Sequence, residues 1–213
     1  MNLISLLPEA LPDYLLLENV EGFAGSASEA RLLSTLQSLA YETVVVRLCS
    51  TAFAVPMKRP RYFLAASRKG PVAAVETRQF QDLRILEEYL KKSADEDPAM
   101  VLPLESFRKF EPLLNLVDRH DRQARLICFT SGYFRYRHSS GSLLRQAHDP
   151  DLPSVRLFSP DEIVSLLGFS QRFRFPPAIE LPTRYRLAGN SVDVRAIKAL
   201  LTALPGLPCA IPQ

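Results

Sequence analysis

The chain contains no tryptophan, only 8 glycines and only 3 cysteines in 213 residues. The cysteines (Cys49, Cys128, Cys209) have no close spacing, which argues against a disulfide framework and a zinc pattern. A reducing compartment, cytoplasmic or nuclear, and no metal are therefore expected. No run of about 18 apolar residues exists, which excludes a spanning helix. The first twelve residues lack a cationic start and carry Pro8 and Glu9 inside their apolar run, so no signal peptide is expected. What is plentiful is proline, 17 residues, implying many short elements and fixed turns. With 47% hydrophobic and 23% charged side chains, the composition is that of a globular protein and excludes a disordered tail, a collagen-like rod or a coiled coil. The length suffices for one large domain or two small ones.

The net charge is only +3, but the 26 basic residues comprise 20 Arg and 6 Lys. The planar fork of Arg suits phosphates and base edges. A GC-rich coding sequence produces the same excess, and the count alone leaves both explanations open.

Tyr14–Leu17 is a short apolar run that predicts a buried strand ending at Glu18-Asn19. Ser28 is placed as the cap of a helix bearing Leu32, Leu33, Leu36 and Leu39. Tyr41–Leu48 and Tyr62–Ala66 predict two further strands. The strand–helix–strand order points to an open, mainly parallel sheet. Glu76–Asp97 carries seven acids against four bases, with Phe80, Leu83, Leu86 and Leu90 at helical spacing. From Ser131 to His148 there is no acid; Tyr133, Phe134 and Tyr136 interleave with Arg135 and Arg137, and Arg145 follows. Such interleaving suits splayed-out nucleic acid, where bases stack and phosphates pair with Arg; an exposed, merely basic loop is the alternative. Ser159-Pro160-Asp161-Glu162 is a capping box opening a helix that stops at Gly168. A last helix bears Val194, Ile197, Leu200 and Leu201.

Several motifs follow in order: Glu18-Asn19-Val20, Lys58-Arg59-Pro60-Arg61, Cys128-Phe129-Thr130-Ser131-Gly132-Tyr133, Arg156-Leu157-Phe158-Ser159-Pro160-Asp161-Glu162, Leu167-Gly168-Phe169, and Arg184–Val192 with Asn190-Ser191-Val192 at its end. As a set they resemble the C-terminal motifs of the cytosine-5 methyltransferase superfamily. The Cys-Phe-Thr-x-Gly-Tyr element is similar to the branch that methylates a cytosine in the anticodon loop of aspartate tRNA. The resemblance is weakest over 72–100.

The resemblance implies an α/β fold, a partial Rossmann-like class I methyltransferase sheet with an inserted target-recognition region. Residues 1–70 and 153–213 would belong to the catalytic domain and 71–152 to target recognition. It implies S-adenosylmethionine as cofactor and tRNA as partner, with DNA as the alternative. In that chemistry a cysteine thiolate adds to carbon-6 of a flipped cytosine, carbon-5 takes the methyl group, and a base removes the carbon-5 proton. Glu18 matches the glutamate that grips the base. Arg59 and Arg61 match the Arg-x-Arg pair beside the pocket, and Asn190, Ser191 and Val192 match one wall of the cofactor site. Cys128, Phe129 and Thr130 match the branch signature, with Cys128 structural rather than catalytic. With Tyr133, Arg135 and Arg137 they make up the expected RNA-binding set.

The family's Phe-x-Gly-x-Gly cofactor loop and Pro-Cys-Gln nucleophile loop do not occur in these residues. A truncated C-terminal portion, inactive alone and poorly soluble, is therefore expected. A non-catalytic RNA-binding subunit, or half of a split enzyme completed by another chain, is the other reading.

Overall fold

Short apolar runs separated by prolines dictate short elements, and a computed structural model describes residues 3–136, 140–147 and 154–207. Two units result, one from residues 3–49, 60–78 and 195–207, the other from 50–59 and 79–194. Residues 154–194 thus pack with the second unit, where the sequence had grouped them with 1–70. The reason is burial: Leu157, Phe158, Ile163 and Leu166 share one core with Phe129 and Tyr133.

In chain order the first unit begins with α1 (Leu3–Ala10), β1 (Tyr14–Val20), α2 (Ala27–Ser38) and β2 (Glu42–Leu48). The cap of α2 is Ser26, two residues before the expected Ser28. Its hydroxyl accepts the Glu29 N–H, and the Glu29 carboxylate reaches back to the Gly25 N–H at 2.5 Å. The two-residue β3 (Met57–Lys58) belongs to the second unit, and β4 (Arg61–Ser67) returns to the first. β4 lies between β1 and β2, antiparallel to both. The expected mainly parallel arrangement is corrected here: β1 and β2 share a direction, with α2 between them in sequence, but never pair. No crossover helix joins β2 to β4, so β4 returns antiparallel. β4 is the buried strand, whereas β1 is half-buried along most of its length, because it forms an edge of this sheet. Leu15, Leu17, Tyr62 and Leu64 share the face that meets Leu7 of α1 and Leu32 and Leu36 of α2. By register, Glu18, Phe63 and Arg61 lie on the opposite face.

The stretch from Glu76 to Asp97, which enters the second unit at residue 79, is not the expected helix. It holds only a 3-10 turn (Leu86–Tyr89) and the single-turn α3 (Lys92–Asp95). Leu86 and Tyr89 are buried while Phe80 is exposed, so packing onto the core overrides the helical spacing. There follow α4 (Leu104–Phe110), β5 (Asn115–Asp118), β6 (Leu126–Ile127), β7 (Ser142–Ala147) and β8 (Ser154–Leu157). β7 is central, parallel to β5 and antiparallel to β8, while β3 and β6 form a separate parallel pair. The capping box opens α5 (Pro160–Leu166) as expected. α6 (Leu181–Gly189) follows, and α7 (Val194–Ala203) carries the chain back into the first unit. There, Tyr14 Oη donates to Pro205 O at 2.6 Å. Among the described residues no helix is long and apolar enough to cross a membrane.

The second unit holds an ion network whose central pair, Arg156 and Glu162, is fully buried. Arg156 donates to both carboxylate oxygens of Glu162 at 2.9 Å and, through Nε, to Asp95 at 2.8 Å. Arg119 donates to the same Asp95 oxygen at 3.0 Å. Glu162 also accepts the backbone N–H groups of Lys91 (2.8 Å) and Ser159 (2.7 Å). Partial burial pushes the Asp95 carboxyl up, but the hydrogen bonds and charges of Arg156 and Arg119 outweigh it and hold its pKa below the ordinary range.

Candidate base-binding and RNA-facing sites

Glu18 stands near the carboxyl end of β1, opposite Phe63 and diagonal to Arg61. The register therefore brings Glu18 and Arg61 together, with Arg61 Nε 3.1 Å from Glu18 Oε1. The Glu18 side chain is 25% exposed. An ion pair this open contributes at most about 1 kcal/mol, so its consequence is orientation: a carboxyl held at a strand end and still reachable from solvent.

Arg59 is in the other unit and differs in kind. It is 5% exposed. Its Nη1 donates to Cys128 Sγ at 3.0 Å and to Phe129 O at 3.2 Å, and its Nη2 to Ser191 O at 2.7 Å. Arg59 was expected to contact the target; here its guanidinium faces protein acceptors. Its guanidinium is spent on protein acceptors because extended backbone at β3 directs it inward, between two loops.

The segment 128–136 is an amphipathic turn. Backbone N–H groups of Arg135 and Tyr136 both bond to Gly132 O, and that of Tyr133 to Thr130 O. Phe129 and Tyr133, four residues apart, point into the core and meet edge-to-face with ring centroids 4.9 Å apart. Tyr133 Oη donates to Ser142 O at 2.5 Å and accepts the Phe158 N–H at 3.0 Å. Burial pushes its phenol well above the ordinary value. These two rings were expected among the RNA-binding residues; full burial removes them from any surface. Cys128 is half-buried under Arg59, and Phe134 stacks on Tyr185 at 5.0 Å. Thr130 and Arg135 are exposed, as is Tyr136 at 52%. Alternation alone did not separate Tyr136 from Tyr133; the spacing of four between the inward Phe129 and Tyr133 is the signal that does. Arg137 lies outside the described residues.

Asn190, exposed, is the C-cap of α6; Ser191 Oγ donates to Leu187 O at 2.8 Å, and Val192 is half-buried. The sequence reading missed α6, whose weak apolar pattern gives little sign of a helix. It also missed Gly189, where a Cβ would lie only 2.3–2.4 Å from the Thr130–Ser131 backbone.

The fold is shared with solved structures. The S. pombe Dnmt2 methyltransferase matches with a TM-score of 0.80 and 22% identity, over 94% of this chain and 67% of that one. The Entamoeba histolytica methyltransferase EhMeth gives 0.77 and 23%, over 90% and 63%. More narrowly, residues 1–205 match the family of C-5 cytosine-specific DNA methylases, and the chain belongs to that family. The Rattus norvegicus tRNA (cytosine(38)-C(5))-methyltransferase is 27% identical over 290 aligned positions, covering 95% of this chain and 74% of the relative. The Homo sapiens protein of the same name is 26% identical, over 96% and 74%. A Dictyostelium discoideum DNA (cytosine-5)-methyltransferase is 26% identical, over 91% and 65%.

Proposed function

We propose that this chain carries the base-gripping and target-recognition part of an S-adenosylmethionine-dependent tRNA (cytosine-5) methyltransferase, acting on a cytosine in the anticodon loop of aspartate tRNA. The observation that carries this reading is the Glu18–Arg61 pair, set by register at the end of β1. A carboxyl oriented there can accept the exocyclic amine of a cytosine and favour protonation of its ring nitrogen, which makes carbon-6 more electrophilic. Arg61 holds that carboxyl in place. Thr130, Arg135 and Tyr136 supply a hydroxyl, a phosphate-pairing cation and a stacking ring on one exposed turn.

The exposed carboxamide of Asn190, with Ser191 and Val192, fits one polar wall of a cofactor site. S-adenosylmethionine, when bound, supplies the methyl group. Cys128 is engaged with Arg59, and Cys49 follows β2 rather than preceding Glu18. Neither takes the place of the Pro-Cys-Gln nucleophile, so these residues alone are proposed to be inactive. The missing nucleophile equally supports a split enzyme completed by a second chain, and the Dictyostelium relative supports a DNA target.

Incubation with labelled S-adenosylmethionine and aspartate tRNA tests the reading. No incorporation is expected from this chain, together with tRNA binding that exceeds binding to duplex DNA. Label at cytosine overturns the proposed inactivity, and preference for duplex DNA overturns the RNA target.

A further inference from the structure

We propose that Arg59 is a positioning residue that makes the RNA-facing turn 130–136 and the cofactor-wall segment 189–192 move as one body. The names of the two segments rest on the function proposed above; their mechanical union rests on geometry alone. The guanidinium is a planar fork with fixed donor directions. It grips Cys128 Sγ and Phe129 O from one nitrogen and Ser191 O from another. Those partners are 62 to 63 residues apart in sequence and have no strand pairing between them.

Two further links are independent of Arg59. At Gly189 the helix backbone presses on the Thr130–Ser131 backbone so closely that a Cβ would lie 2.3–2.4 Å from Thr130 C, Thr130 O and Ser131 N. Backbone cannot swing aside as a flexible side chain would. One turn earlier in α6, buried Tyr185 meets Tyr133 at 5.7 Å and stacks on Phe134 at 5.0 Å. The turn is therefore held to α6 by rings, by backbone contact and by the guanidinium. Of these, only the guanidinium reaches past Gly189 to the 190–192 segment.

A ligand that orders Arg135 and Tyr136 then also orders Asn190–Val192. By reciprocity, whatever binds the wall strengthens RNA binding by the same factor. The consequence for the reaction is that cofactor and target engagement are thermodynamically linked through a residue that touches neither.

Hydrogen exchange on the 213-residue chain tests this. Without RNA, Arg59→Lys keeps the charge but not the fork, and both 128–131 and 189–192 are expected to exchange about tenfold faster, with the β3–β6 pair unchanged. Gly189→Ala, which forces Thr130 away, is the second variant and is expected to loosen the same two segments together. Acceleration of only one segment in either variant overturns the proposal, as does general loosening that includes β3 and β6. With unmodified aspartate tRNA, the unaltered chain is expected to show slowed exchange in both 130–136 and 190–192, and Arg59→Lys in 130–136 but not in 190–192. Protection reaching 190–192 in Arg59→Lys also overturns it. If the unaltered chain binds no tRNA, the RNA reading falls, while the RNA-free comparison still decides the coupling.

Discussion

Replacing Glu162 by glutamine tests the ion network most directly. The substitution keeps the shape, so the effect is one of charge and donor count. Both carboxylate oxygens accept two N–H groups: one from Lys91 N and Arg156 Nη2, the other from Ser159 N and Arg156 Nη1. In the amide, one oxygen becomes an NH2 that confronts two donors, and the only carboxylate left to Arg156 is Asp95, which it shares with Arg119, beside the Leu157 carbonyl. Both Arg156 and Glu162 are 0% exposed. Breaking one side of such a buried pair costs about 3–5 kcal/mol, several times the roughly 1 kcal/mol of losing a helix cap alone. At roughly 2–4 °C per kcal/mol for a chain of this size, the melting temperature should fall by about 6–20 °C. Thermal scans measure that shift and urea unfolding the free-energy loss, both followed by far-UV circular dichroism, since the chain has no tryptophan to report. Arg156→Met with Glu162→Met removes the unpaired charge and should recover part of the loss, the orphaned Lys91 and Ser159 N–H groups keeping it below the starting stability. A Glu162→Gln loss under about 1 kcal/mol refutes the reasoning.

Asp95→Asn should flatten the acid limb of the stability curve. The folded carboxyl has a depressed pKa, so its stabilisation is present above the unfolded value of about 3.9 and lost as pH falls through the lower folded one; pH-dependent melts check this. Tyr133→Phe leaves Ser142 O and the Phe158 N–H without their partner, at about 1–3 kcal/mol each, read from the urea midpoint. Arg135→Ala should weaken RNA binding without altering sequence preference and reduce the salt slope by about 1, measured by anisotropy across a salt series. The sheet order β1-β4-β2 leaves an outer edge of β1 with no paired strand among the described residues, and Val20 is exposed there. Concentration-dependent self-association is expected by light scattering, and a monodisperse monomer contradicts it.

Signals local to the sequence translated well. Ser159 and Glu162 announced α5 because a capping box needs only four adjacent residues, and the strands at 14, 42 and 61 were legible as apolar runs between polar ends. Phe80, Leu83, Leu86 and Leu90 misled because helical spacing says nothing about whether a core lies beside it. The antiparallel return of β4 could not be read, since strand direction depends on the connection and not on the strand. In the candidate sites, the motif order pointed to Glu18 and Arg61 separately, and the register places them side by side. The motifs gave no sign that Arg59, Phe129 and Tyr133 are buried, because a motif records which residues sit in a loop and not which way each faces.

The central place of β4 bears on how the chain comes off the ribosome. Among the described residues, β1 and β2 pair only with β4, yet β4 follows both in synthesis. For the interval in which residues 14–60 have emerged and 61–67 have not, two strands and the apolar faces of α1 and α2 wait without a template. A chaperone that binds extended apolar segments would find its substrate there, and a message ending before codon 61 would yield two strands that have lost the partner they share.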